Sequence, residues 1–169
     1  MGGMLYALDR AFTVCLPGFV TIAAMMILAA PTPLPRALVP DIVMMLVYLG
    51  AAFRGDAFPV WLCFAVGLLS DLLGSTPVGL HAIAYLIVHA FAAIQRRHMH
   101  LVLLQWSGFV LVCLAAGVAQ WLVMSAYFAG FLDPKPLLTN IVITALIFPV
   151  LSFPLQWLIQ GEANAQQRI

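Results

Sequence analysis

The sequence predicts an all-α fold: a polytopic membrane helix bundle of about six transmembrane helices, with residues 1–169 forming one transmembrane domain. Two observations carry that prediction. Of the 169 residues, 64% are hydrophobic and only 8% are charged, whereas a soluble domain is about half apolar and about a quarter charged. A soluble fold so poor in charge would expose large apolar patches and aggregate. Second, short polar or turn-rich breaks divide the chain into six apolar segments, at 11–30, 38–53, 57–74, 77–95, 101–130 and 137–160. The net charge of +1 excludes a nucleic-acid footprint, which needs a clustered basic face.

The first segment follows Arg10 and ends near Ala29-Ala30. It is longer than the roughly 7–15 residues of a signal-peptide core, so it reads as a retained transmembrane helix. The second and third segments are short against the roughly 20 residues that a perpendicular span needs. Their ends are expected either to sit shallowly or to be buried against protein. Pro40 stands at the start of the second, where a helix tolerates proline. The fifth is long and is expected to tilt or to project beyond the bilayer. Pro17 in the first segment and Pro149 and Pro154 in the last each remove a backbone hydrogen bond. In lipid, neighbouring helices must cover the carbonyls so freed. Cys15, Cys63 and Cys113 lie far apart in separate apolar runs and read as small packing residues.

The connections are short: PTPLPRA at 31–37, RGDA at 54–57, RRHMH at 96–100 and FLDPKP at 131–136. They leave no room for an extramembrane catalytic domain. With six spans, Arg10, Arg54, Arg96, Arg97 and Arg168 fall on the side of the termini, and Arg36 and Lys135 on the other. The positive-inside rule then places both termini in the cytoplasm.

The most informative stretch is GLLSDLLGSTPVGL, Gly67 to Leu80. It sets Asp71 inside an apolar run just before a tight turn. A carboxylate there costs several kcal/mol of solvation unless it faces protein, finds a partner or takes up a proton. Gly67, Asp71 and Gly74 share one helix face, and glycines beside an acid let another backbone come close. Pro77 is placed to open the fourth helix, with Ser75 or Thr76 as its cap. Asp71 therefore reads first as a lock on this hairpin, and second as a direct functional contact. Asp41, in the first turn of the second span, complements the helix dipole, and Arg36 is near enough in sequence to pair with it.

His81, Tyr85 and His89 recur every four residues down the fourth span, a polar stripe expected to face the bundle interior. Two histidines eight residues apart do not make a metal pair. His98 and His100 lie in the basic loop. Gln105, Gln120, Asn140, Thr144 and Gln156 are further polar groups suited to hydrogen bonds between helices. Tyr6, Trp61, Trp106, Trp121, Tyr127 and Trp157 fall toward span ends, as in an aromatic belt. Gly108, Ala115, Ala116 and Ala119 are small residues on the fifth span that could seat a partner helix. No HExxH, GxSxG or phosphate loop occurs, no nucleophile stands beside a base, and no catalytic residue, metal or cofactor is expected.

The segment from Leu38 to Phe91 resembles the rod shape-determining protein MreD family of bacteria. The matching features are Pro40-Asp41 opening a span, Tyr48, Gly67, Asp71-Leu72-Leu73, Gly74, Pro77 and Gly79-Leu80-His81-Ala82. The resemblance covers residues 38–95 well, and the remainder in hydropathy alone. It implies a non-enzymatic component of the bacterial inner membrane, within the cell-elongation machinery. It also implies an MreC-like membrane partner and, through it, a link to MreB, RodA and a class B penicillin-binding protein in peptidoglycan synthesis. In fold, the family is similar to the substrate-binding S-component of energy-coupling-factor transporters. A second functional reading, from the residues themselves, is a small-molecule-binding membrane subunit or transporter. It would use the polar cluster of Asp41, Asp71 and His81 near the periplasmic face, and it requires a closed polar cavity there.

Overall fold

The computed structural model describes residues 21–23, 25, 26, 38–53, 58–96 and 102–166, with the main chain alone at 102 and 154–166. Most of the expected first span, with Pro17, lies outside the described residues. So do the loops at 31–37 and 54–57, the run 97–100 with His98 and His100, and Cys15, Arg10, Arg36 and Arg168. Among the described residues the structure is wholly helical and has no strand. Five helices follow short helical stretches at 21–23 and 25–26: α1 (Ile42–Phe53), α2 (Val60–Gly74), α3 (Leu80–Gln95), α4 (Val102–Tyr127) and α5 (Lys135–Gln166).

Helix α1 has 12 residues, nine of them buried, and at 1.5 Å per residue it is about 18 Å long. That is short against a bilayer core of roughly 30 Å, and both its ends are satisfied by protein rather than by lipid. At its start, Asp41 Oδ1 accepts the Met44 N–H at 2.8 Å, an N-cap bond. At its end, Arg96 Nη2 donates to the Ala51 carbonyl at 2.7 Å, a cation on the negative end of the helix dipole.

Helix α3 is central: it packs against α1, α2 and α4, while α5 packs against α4 and α1. The core centres on Tyr48 of α1, whose ring meets Phe109 of α4 and Phe148 of α5 edge-on at 5.0 and 5.5 Å. Phe109 and Phe148 are stacked at 3.8 Å. These three rings tie three helices together by burial and by ring geometry.

Among the described residues, helices α4 and α5 are the two that are long and apolar enough to cross a membrane. On α5 the residues Leu138, Val142, Leu146, Val150 and Phe153 are all exposed. Their spacing of four, four, four and three puts them on one helix face. Such an outward apolar stripe is what lipid contact requires. Trp61 of α2 and Tyr127 of α4 are exposed at their helix ends, as a belt at the membrane interface requires.

Helix α5 continues through Pro149 and Pro154 without interruption. Pro149 has no N–H to give the Ala145 carbonyl four residues earlier. The indole of Trp106 on α4 donates to that carbonyl at 2.9 Å instead. The requirement that a neighbour cover a proline-freed carbonyl in lipid is thus met at this site.

Candidate functional site

The α2–α3 hairpin is organised by one carboxylate. Asp71 sits in the last turn of α2 and is 0% exposed. Its Oδ1 accepts the His81 N–H at 2.9 Å, the His81 Nδ1–H at 2.7 Å and the Thr76 hydroxyl at 3.0 Å. Its Oδ2 accepts the Gly79 N–H at 2.7 Å. Its main-chain carbonyl takes the Ser75 and Thr76 N–H groups, closing the helix end. Gly79 and His81 are the N-cap and second residue of α3, so the carboxylate of one helix caps the start of the next.

This arrangement corrects the expected cap. Neither Ser75 nor Thr76 caps α3; its N-cap is Gly79, which has no side chain to offer and stands at φ +101°. Such a backbone is left-handed and favours glycine. Pro77 does not open α3 either. It lies in the turn, three residues before the helix begins, and its carbonyl accepts the Leu80 N–H. Ser75 takes a left-handed conformation at φ 52° to end α2. The physical reason is that Asp71 already supplies the acceptors that a local serine or threonine cap would provide.

The two flanking glycines do different work. A Cβ on Gly67 would lie 2.3 Å from the Ala82 Cα and 2.6 Å from its nitrogen. Gly67 is therefore where the α2 and α3 backbones meet, as small-residue packing between membrane helices requires. A Cβ on Gly74 would find nothing nearer than Thr76 at 3.6 Å. The expected close approach at Gly74 is absent, because the chain has already turned away there.

The stripe on α3 faces inward and is spent on hydrogen bonds. The Tyr85 hydroxyl, on a buried side chain, donates to Asp41 Oδ1 at 3.3 Å and accepts from Ser70 at 3.5 Å. His89 Nε2 donates to the Phe58 carbonyl at 3.0 Å. Asp41 joins the same region: its N–H donates to the Thr144 hydroxyl on α5 at 3.0 Å. Asn140 adds a bond from its Nδ2 to the Val39 carbonyl at 2.6 Å. Asp71 and His81 are thus in direct contact. Asp41 belongs to the adjoining group through Tyr85, whose ring lies 5.9 Å from that of His81. Tyr85, a member of the expected stripe, is the linking residue, together with Ser70, which was not singled out from the sequence.

At the opposite end of the bundle a second polar group closes. The Tyr48 hydroxyl donates to Gln95 Oε1 at 2.9 Å, and Gln95 Nε2 donates to the Leu104 carbonyl at 2.8 Å. Gly108 lies beneath this carboxamide; a Cβ there would collide with Gln95. The space over Gly108 is therefore used within the chain. Ala115 and Ala119, farther along α4, are half-buried, and Ala116 is in the core. Gly117, not singled out from the sequence, is where α4 meets Ile141 of α5.

Beside the hairpin an open groove of about 810 Å³ runs between Ser75–Val78 and the end of α4. Its second wall is Val123, Ala126, Tyr127 and the adjoining Phe128. Asp41, Asp71 and His81 do not line it. Among the described residues, no group of three or more His, Cys, Asp or Glu side chains is placed to hold a metal.

The family model described as rod shape-determining protein MreD matches residues 10–157. The chain belongs to that family and is a rod-shape-determining membrane protein. No curated protein and no solved structure matches it.

Proposed function

We propose that this chain is a non-enzymatic scaffold of the bacterial inner membrane that holds an MreC-like partner. In this reading it supports peptidoglycan synthesis and rod shape by linking that partner to MreB, RodA and a class B penicillin-binding protein. Six spans carry both termini on the cytoplasmic side, and the α2–α3 hairpin faces the periplasm.

The observation that supports this best is how Asp71 is used. Among the described residues, the carboxylate at the most conspicuous sequence motif meets donors of its own hairpin: two backbone N–H groups, a hydroxyl and an imidazole N–H. A group so occupied fixes shape. It is fully buried and does not line the groove beside the hairpin, where a transport or ligand site would need it. Family membership points the same way. The basic balance, with Arg96 at the end of the bundle away from the hairpin, supports the orientation.

Co-purification tests the proposal. Tagged chain extracted in mild detergent should retain the MreC-like protein of the same cell. Loss of that partner under conditions that leave the chain folded and monodisperse would sink the scaffold reading.

A further inference from the structure

The turn between α4 and α5 carries its aromatic side chains outward. Phe131 is 92% exposed, and Tyr127 and Phe128 are exposed beside it. The turn nevertheless has a fixed course. The Gly130 N–H returns to the Ser125 carbonyl and the Ala129 N–H to the Ala126 carbonyl, with Ala129 left-handed at φ 49°. This is a Schellman end, and it turns the chain back along α4. The Trp121 indole then donates to the Leu132 carbonyl at 3.1 Å, and the Phe131 ring lies 6.0 Å from that of Trp121. The turn is thus tied to α4 about 9 Å short of the helix end at Tyr127.

Two independent rulers put that level at the edge of the bilayer. Along α4, Trp121 stands about 29 Å from Val102, against a hydrocarbon core of roughly 30 Å. On α5 the apolar window opens at Lys135, and the side chains of Lys135 and Asp133 are both largely exposed. Charges belong among headgroups or in water, and tryptophan belongs at the boundary. Phe131 therefore has hydrocarbon within reach of its ring. The neighbouring Leu132 carbonyl, which hydrocarbon could not satisfy, already has its donor in Trp121.

The surroundings select lipid as what covers Phe131. Leu111, Leu114, Val118 and Leu122 of α4 are all exposed. Their spacings of three, four and four put them on one face, a counterpart of the outward stripe on α5. Trp121 follows Leu114 by seven residues, so it stands at the edge of this stripe and Phe131 continues it outward. The nearest described part of the first segment lies elsewhere: Met25 meets Ser70 of α2, and α2 packs on α3.

We infer that the α4–α5 turn is a membrane-interface anchor whose partner is the lipid surface. The Phe131 ring inserts between acyl chains of the leaflet on the hairpin side. Trp121 holds the turn at that depth through the Leu132 carbonyl, while Asp133 and Lys135 stay among the headgroups. The anchor sets the height of the hairpin end. Val123, Ala126 and Tyr127, which face Ser75–Val78 across the groove, all lie past Trp121 on α4. None of this depends on the scaffold reading.

Spin-label accessibility in lipid nanodiscs tests the anchor. The label goes on Phe131→Cys, or on Lys135→Cys for reference, in the full chain with Cys15, Cys63 and Cys113 replaced by alanine. Oxygen partitions into lipid and a nickel chelate into water. The oxygen-to-nickel accessibility ratio at 131 should exceed that at 135 at least fivefold. Trp121→Phe should lower the ratio at 131 at least threefold, because the Leu132 carbonyl must then seek water. A benzoylphenylalanine at Phe131 in the chain with its own cysteines, irradiated in native membranes, should form adducts with lipid. Ready access of the nickel chelate to position 131 would place the turn in water and overturn the inference. Poor access of both reagents, or adducts only to protein, would show a protein cover and overturn it equally. An unchanged ratio in Trp121→Phe would overturn the part given to Trp121.

Discussion

The Asp71 carboxylate caps a helix to which Asp71 does not belong: its Oδ1 lies 2.9 Å from the His81 nitrogen, across the turn that separates α2 from α3. With the Gly79 N–H on the other oxygen at 2.7 Å, this fixes the angle at which α3 leaves the turn. The close approach at Gly67 then follows, because two backbones can meet at Ala82 only if α3 starts in the right place. Capping and helix packing are therefore one device.

Replacing Asp71 should show this. Asp71→Ala leaves two part-buried N–H groups, a hydroxyl and an imidazole without their acceptor. Stranding a buried donor costs about 1–3 kcal/mol in isolated cases. A net loss of about 2–4 kcal/mol is expected, since the turn can relax. Asp71→Asn keeps the shape but offers one acceptor oxygen, and should fall between Ala and wild type. Thermal melting in detergent, read beside membrane abundance, checks both. Wild-type stability in Asp71→Ala would show that the carboxylate does not lock the hairpin.

The glycines give a sharper contrast. Gly67→Ala drives a methyl group to within 2.3 Å of backbone in α3, which cannot yield as a flexible side chain would. Overpacking of this kind costs about 1–3 kcal/mol. Gly74→Ala meets ordinary contacts at 3.6 Å or more and should be neutral or slightly stabilising, because alanine is about 1 kcal/mol better than glycine in a helix. Comparing the two melting temperatures decides the matter; equal losses would refute the close approach at Gly67.

The start of α1 offers an independent measurement. Thr144→Val removes the acceptor for the Asp41 N–H, and Asp41→Ala removes the cap on Met44 and the acceptor for Tyr85. About 1 kcal/mol is expected for the first, and about 1–2 for the second. Because both touch Asp41, the double variant should cost less than the sum. Strict additivity in melting curves would separate the two contacts.

Much of this could be read from the chain beforehand. An acid before a tight turn, with Gly67 four residues earlier, already pointed to a hairpin lock, and the four-residue spacing of His81, Tyr85 and His89 placed them on an inner face. The donors on Asp71 were not legible, because Gly79 and Ser75 take left-handed backbones that only the folded turn defines. Gly74 looked equivalent to Gly67, since helical spacing places both on Asp71's face but says nothing of where the neighbouring helix diverges. Gly108 looked like a partner seat for a similar reason: a small residue shows that something can approach, and Gln95, thirteen positions away and on another helix, decides what does. The short second span was puzzling by length alone. It resolves once Asp41 and Arg96 are seen to satisfy the two ends of α1 inside the protein.

The pairing of Trp106 with Ala145 yields the most discriminating prediction. The Ala145 carbonyl needs the indole only because Pro149 cannot supply an N–H. Trp106→Phe keeps most of the ring and removes the donor, stranding a carbonyl near the bundle interior. About 1–2 kcal/mol should be lost, in the range of interhelical hydrogen bonds in membranes. Pro149→Ala restores the missing N–H, so α5 can satisfy Ala145 by itself. In that background Trp106→Phe should cost less, by about 1 kcal/mol or more, and the coupling appears as non-additivity in a double-mutant cycle. Thermal melting of the four proteins in one detergent supplies the cycle. If Trp106→Phe costs the same with and without Pro149, the indole is not compensating for the proline, and its bond to Ala145 reflects ring packing alone.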